Sequence, residues 1–111
     1  QFLAEEEMDD VDVEYFAALL HEVPSDLTAL DGYLDPYLDR PLSQVDPVER
    51  AILRLGACEL ARHPEVPYRV VINEGVELAK RFGAEQGHKY INSILDKAAR
   101  DLRSVEVSAK R

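Results

Sequence analysis

Apolar residues recur at three- and four-residue spacing along nearly the whole chain, and prolines and glycines cut that pattern into lengths. Such text can bury its apolar side only as packed helices. Phe16, Leu19, Leu20 and Val23 share one helical face. Pro24 interrupts, Ser25 or Asp26 can cap a restart, and Leu27, Leu30, Leu34 and Leu38 continue the stripe. Pro41 disfavours helix at Arg40, so this second helix should end near Asp39-Arg40-Pro41. The third helix has the clearest start. Asp46 is a capping acceptor, Pro47 fits the first helical position, and Glu49 is placed to bond back to the Asp46 amide. Its stripe runs Val48, Ile52, Leu55 and Cys58 or Glu59, broadened by Ala51, Leu53 and Leu60, until His63-Pro64 ends it.

A fourth helix should start near Pro67 or Tyr68 and bury Val71, Ile72, Gly75, Val76 and Ala79. Gly75 costs helix propensity, about 1 kcal/mol against alanine, which a close helix–helix contact would explain. Gly83 is expected as the left-handed residue that closes this helix. The fifth helix should run from about Gln86 to Ser104, with Tyr90, Ile91, Ile94, Leu95, Ala98 and Leu102 turned inward. Ser104 to Arg111 reads as a polar, frayed tail. No strand alternation, internal repeat or low-complexity tract stands out, so the fold class expected is all-α with about five main helices.

At 111 residues the chain is expected to be one domain, 1–111, with a small core. Cys58 is the lone cysteine, so no intrachain disulfide can form, and its apolar neighbours place it in the core. No apolar run approaches the roughly 20 residues of a bilayer span, and no signal peptide opens the chain, so a cytoplasmic location is expected with no membrane partner. The net charge of −9 argues against nucleic acid until its distribution is examined. Residues 1–62 hold 15 acids against 4 Lys/Arg, whereas residues 63–111 hold 7 acids against 9 Lys/Arg. A local basic patch can hold phosphate on an acidic protein, with modest and salt-sensitive affinity.

No enzyme constellation is present. Asp9, Asp10, Asp12 and Glu14 resemble the start of a calcium loop, but the glycine and distal glutamate of that loop do not follow in register. His21, His63 and His88 have no ligand spacing between them, and one cysteine cannot complete a zinc site. No serine sits in a glycine elbow, and no phosphate-binding or dinucleotide fingerprint occurs. No catalytic residue, metal or cofactor is expected.

One cluster stands apart. Lys80, Arg81, Phe82, Gly83, Gln86, His88, Lys89, Tyr90 and Asn92 gather about the turn between the last two helices. The basic groups lie at or beside the amide-rich start of a helix, which favours an anion. Phe82 and Tyr90 offer faces for base stacking. Tyr68 and Arg69 open the preceding helix and could form a second edge. The plainer alternative is a solvated connection with a capping glycine. Arg50 and Arg54, one turn apart beside Glu49, read as a solvated face or a surface for a protein partner.

These residues also carry a resemblance. D-V-E-Y-F (Asp12 to Phe16), Leu30-Asp31, P-Y-L (Pro36 to Leu38) and V-E-R-A-I-L-R (Val48 to Arg54) with Glu59-Leu60 follow in order. Denser still are V-P-Y-R-V-V-I-N-E (Val66 to Glu74), E-L-A-K-R-F-G (Glu77 to Gly83) and H-K-Y-I-N-S-I-L-D-K (His88 to Lys97). Together, from Gln1 to about Ala99, the chain resembles the NusB family of transcription antitermination factors.

The resemblance implies an all-α bundle of two small helical subdomains. It implies binding to boxA RNA of ribosomal RNA leader transcripts, together with the small-subunit ribosomal protein that doubles as NusE, inside an antitermination complex with RNA polymerase. Carried over by position, Tyr68, Arg69, Phe82, Gly83, Gln86, His88, Lys89 and Tyr90 fall in the RNA-facing region. Glu49, with Arg50 beside it, falls on the helix that meets the NusE-type partner. Gln86 departs from relatives that have an acid there. Family members also carry an N-terminal arginine-rich segment and a first helix that have no counterpart before Gln1. The expectation is then an uncovered apolar groove, with self-association as one way to hide it. Two alternatives stay open: an RNA-positioning domain of an rRNA methyltransferase, against which the short tail after Leu102 argues, and a helical scaffold without RNA competence.

Overall fold

Prolines set several of the helix ends in the computed structural model, which describes residues 27–109. The helix expected over Phe16–Val23, the Asp9–Glu14 acidic run and the cap at Ser25 or Asp26 lie outside the described residues. Helix α1 spans Leu27–Leu34 and buries Leu30 and Leu34 completely. The leucine spacing carries the stripe on to Leu38, but the α-helix stops four residues sooner, in a 3-10 turn over Asp35–Tyr37. Pro36 is the cause: it has no amide to donate and disfavours α geometry at Asp35. The Leu38 amide closes on the Asp35 carbonyl at 3.2 Å instead. A second 3-10 turn, Leu42–Gln44, brings Val45 into the core.

Helix α2 spans Pro47–Arg62. Asp46 caps it, its Oδ2 accepting from the Val48 amide at 3.0 Å and the Glu49 amide at 3.2 Å. The reciprocal half of the expected box does not form. Glu49 turns inward and is only 8% exposed, its carboxylate filling the space where Gly87 lacks a Cβ. The stripe along α2 is also rotated from the expected one. Ile52, Leu53, Ala57, Cys58 and Leu60 are buried, while Val48 is 39% exposed and borders an open groove.

Helices α3 (Tyr68–Phe82) and α4 (Gly87–Leu102) make the most extensive contact in the fold, and both pack on α2. Leu95 of α4 is the central knob. A Cβ added at Gly56 of α2 would lie 2.7 Å from its Cδ2, and one at Gly75 of α3 would lie 2.9 Å from its Cδ1. Gly75 therefore does mark a close helix contact, and Gly56 makes a second. Ile91, Ile94, Ala98 and Ala99 complete the buried face of α4, with Tyr90 and Leu102 half-buried at its margins. On the other side of α2, Arg54 forks onto Asp31 of α1, Nε to Oδ1 at 2.8 Å and Nη2 to Oδ2 at 2.9 Å. Arg54 is thus committed to holding α1 in place, not to a solvated face.

Two local expectations are corrected. Gly83 is not left-handed; it is extended, with φ −92° and ψ −176°, and its amide donates to the Ala79 carbonyl at 2.8 Å. What favours glycine there is space, since a Cβ would lie 2.9 Å from that carbonyl oxygen. The polar tail is not frayed over Ser104–Ala109, which forms helix α5. Buried Arg103 anchors it by donating to the Leu60, His63 and Glu59 carbonyls at 2.8, 2.9 and 3.1 Å, and to Glu106 Oε1 at 2.6 Å. Glu106 Oε2 in turn accepts from the Tyr68 amide at 3.0 Å, at the start of α3. The C-terminal segment thus serves the end of α2 and the beginning of α3, both places where backbone groups lack helical partners. Among the described residues there is no strand, and no helix is long and apolar enough to cross a membrane.

Candidate nucleic-acid interface

The turn between α3 and α4 is four residues, Gly83 to Gln86, and the residues around it are mostly open to solvent. Lys80 and Arg81 occupy the last turn of α3, where cations suit the negative helix end. Lys80 lies 3.9 Å from Glu77, a loose exposed pair. Gln86 precedes α4 without capping it through its side chain, and Lys89 projects from the first turn. His88 is half-buried. The start of α4 is not an empty anion site, however. Glu49 faces it from below, so the positive helix end is already offset from inside. The exposed cations of this junction are Lys80, Arg81 and Lys89.

The structure distributes the rest of the cluster over three faces. Phe82 is 50% exposed and lines the groove between α2 and α3 with Pro47, Val48, Ala51, Leu55 and Leu78, an apolar hollow of about 370 Å³. Tyr90 looks the other way, toward the segment before α2. Its hydroxyl donates to Asp39 Oδ1 at 3.0 Å, and the Arg40 guanidinium carbon lies 5.1 Å from its ring centroid. Arg40 also forks onto Asp39 at 2.9 and 3.0 Å. One face of the Tyr90 ring is therefore taken by a cation, and the ring is half-buried against the core. The two Arg40 bonds first, and Tyr90 next, hold the Asp39 carboxyl below its usual range. Burial first, and the bond to Asp39 next, push the Tyr90 phenol up.

Tyr68, Arg69 and Asn92 come together on the third face, in a polar groove of about 340 Å³ between α3 and α4. They do not join Phe82 or Tyr90 in that groove. Asn73, Asp96 and Arg100 line it as well. These three were missed from the sequence; Asp96 and Arg100 carried a signal, since they follow Asn92 at four-residue spacing on one helix face, and Asn73 did not. Asp39 and Arg40 had no such signal, because only tertiary packing brings them to Tyr90. On α2, Arg50 donates to the Ser43 carbonyl at 3.3 Å and reaches that of Leu42 at 3.5 Å, and Glu49 is buried as described. Among the described residues no group of three His, Cys, Asp or Glu could hold a metal ion.

Fold and site together define a small all-α protein whose exposed helix junction carries cations, amides and rings on an otherwise acidic chain. Its sequence places it more closely. Residues 2–100 match the NusB family, and the chain belongs to that family. It is 57% identical over 111 residues to the transcription antitermination protein NusB of Alcanivorax borkumensis, covering 100% of this chain and 74% of that one. Against the same-named protein of Marinobacter nauticus it is 56% identical over 106 residues, covering 96% and 67%. The corresponding protein of Methylococcus capsulatus is 56% identical over 102 residues, covering 92% of this chain and 52% of its own length. This chain thus spans between half and three-quarters of the length of these relatives.

Proposed function

We propose that this chain acts in transcription antitermination, binding boxA-type single-stranded RNA of rRNA leader transcripts together with a NusE-type ribosomal protein. The observation that carries this reading is the α3–α4 junction, where Lys80, Arg81 and Lys89 stand exposed on either side of a four-residue turn. Three cations in so short a stretch can neutralise phosphates on a chain of net charge −9. Gln86 and His88 bring side-chain donors to ribose or base edges beside them, and Gly83, its amide already given to Ala79, shapes the turn between. Phe82, half exposed, and the accessible edge of half-buried Tyr90 supply stacking surfaces on either flank. The exposed side of α2, with Arg50, is the proposed partner-facing element. Glu49 contributes there only through its small exposed edge. The acidic remainder of the chain speeds encounter with a basic ribosomal protein and with the larger RNA polymerase assembly in the cytoplasm.

The test is fluorescence anisotropy with boxA-like and scrambled single strands, with and without the NusE-type protein. Binding should be selective for boxA-like RNA and should tighten with the partner present. Lys89→Ala should weaken every RNA alike and lower the salt slope by about 1. Tyr90→Ala should cost roughly 1–3 kcal/mol through lost stacking. Unchanged affinity in both variants would remove the junction from the site.

A further inference from the structure

The groove between α3 and α4 has features that an RNA-tracking surface does not by itself require. Its volume of about 340 Å³ is that of a small-ligand cleft, enough for one nucleotide. Asn73 and Asn92 reach it from facing helices, and among the described residues neither side-chain amide has a protein partner. Asp96 Oδ2 accepts from Arg100 Nη2 at 3.1 Å, which leaves Oδ1 without a described partner. The Arg69 guanidinium lies 5.4 Å from the Tyr68 ring centroid. That ring, only 6% exposed, backs one face of the guanidinium and leaves the other as a flat plate.

We propose that this groove is a pocket for a single unstacked nucleotide, selective for bases that carry an exocyclic amine. The base stacks on the open face of Arg69, as bases do on guanidinium planes. Asn73 and Asn92 each offer a donor and an acceptor to its edge. Asp96 can only accept, so it needs a donor opposite it. Cytosine, adenine and guanine present an amine there. Uracil presents one ring N–H between two carbonyls, which the carboxylate repels. Arg100 holds Asp96 in place and, with Arg69, leaves the pocket one net positive charge for a phosphate. The inference deepens the RNA reading above and rests on it for the polymer that delivers the nucleotide.

The test uses the full chain, labelled with 15N, titrated with AMP, CMP, GMP and UMP while the Asn73 and Asn92 side-chain amide signals are followed. Both should move saturably with AMP, CMP and GMP, and UMP should bind several-fold more weakly. Asp96→Asn should erase that difference, because an amide can donate as well as accept. In parallel, Asn92→Ala should weaken an oligonucleotide containing the favoured base by roughly tenfold. Amide signals that stay still with all four nucleotides, or that respond to UMP as strongly as to CMP, overturn the pocket. If oligonucleotides bind while these amides stay still, the pocket falls and the RNA reading stands. If the amides move but no oligonucleotide binds, the pocket stands and the RNA reading falls.

Discussion

Replacing Arg103 by methionine removes a buried guanidinium, 7% exposed, while keeping much of its apolar stem. The cost follows from counting what else each acceptor has. The Glu59 carbonyl keeps the His63 amide at 3.0 Å, and the His63 carbonyl keeps the Val66 amide at 3.0 Å. The Leu60 carbonyl has only Arg103, at 2.8 Å, among the described residues. Leaving it buried and unmet costs about 1–3 kcal/mol. Glu106 loses its cation but remains 25% exposed at its side chain and still accepts from the Tyr68 amide. That loss is worth about 1 kcal/mol at most. The sum is about 1–4 kcal/mol, a large share of the stability of a small domain. Urea unfolding followed by circular dichroism should show it directly. The melting temperature should fall by roughly 5–30 °C, at about 4–8 °C per kcal/mol for a domain of this size. Glu106→Gln should cost less than Arg103→Met, and the double variant should fall short of the sum because the two side chains share a bond. A loss under about 1 kcal/mol for Arg103→Met would refute the reasoning, since it would mean that water reaches the Leu60 carbonyl at no cost.

Three further outcomes are expected. Gly87→Ala drives a methyl into the Glu49 carboxylate and should cost about 1–3 kcal/mol in chemical unfolding. Adding Glu49→Ala should recover part of that loss, and no recovery would place the clash elsewhere. Tyr90 is held above its ordinary value of 10.0, so the contribution of its neutral hydroxyl is whole below pH 10 and is lost as pH rises through the folded value. The stability difference between the parent and Tyr90→Phe should therefore shrink in alkaline unfolding curves, and in the parent the Tyr90 tyrosinate absorbance should appear above pH 10; a difference that grows with alkalinity would contradict this. Gln86→Asp adds a negative charge beside the proposed phosphate path and should weaken RNA binding in anisotropy titrations. Unchanged or tighter binding would remove Gln86 from that path.

The helical class and most element positions were legible because they rest on local signals. Asp46-Pro47 marks the start of α2, and Val71, Ile72, Gly75 and Ala79 repeat at helical spacing. The departures come where a distant partner overrides the local pattern. Glu49 leaves the capping box because Gly87 offers it an interior space, and nothing near residue 49 announces residue 87. Ser104 to Ala109 reads as tail because its composition is polar, yet Arg103 finds three carbonyls forty or more positions away along with Glu106 nearby. The candidate site shows the same division. The turn signal at Gly83 put Lys80, Arg81 and Lys89 on the two helix ends that flank one connection, and the structure has them in the last turn of α3 and the first turn of α4. That signal could not show that Phe82, Tyr90 and Asn92 diverge onto separate faces, because that depends on which helix covers which side of the junction.

Leu95 is wedged between two glycines on different helices, and this makes the separation of α2, α3 and α4 a single mechanical quantity. Packed interiors transmit displacement instead of absorbing it. A change that lets the leucine retreat would draw α3 inward, and the polar groove beside α4 and the apolar groove beside α2 would change width together. Occupancy of either hollow is then felt at the other through one side chain, so a ligand on one face and a protein on another are coupled by the spacing of the helices alone.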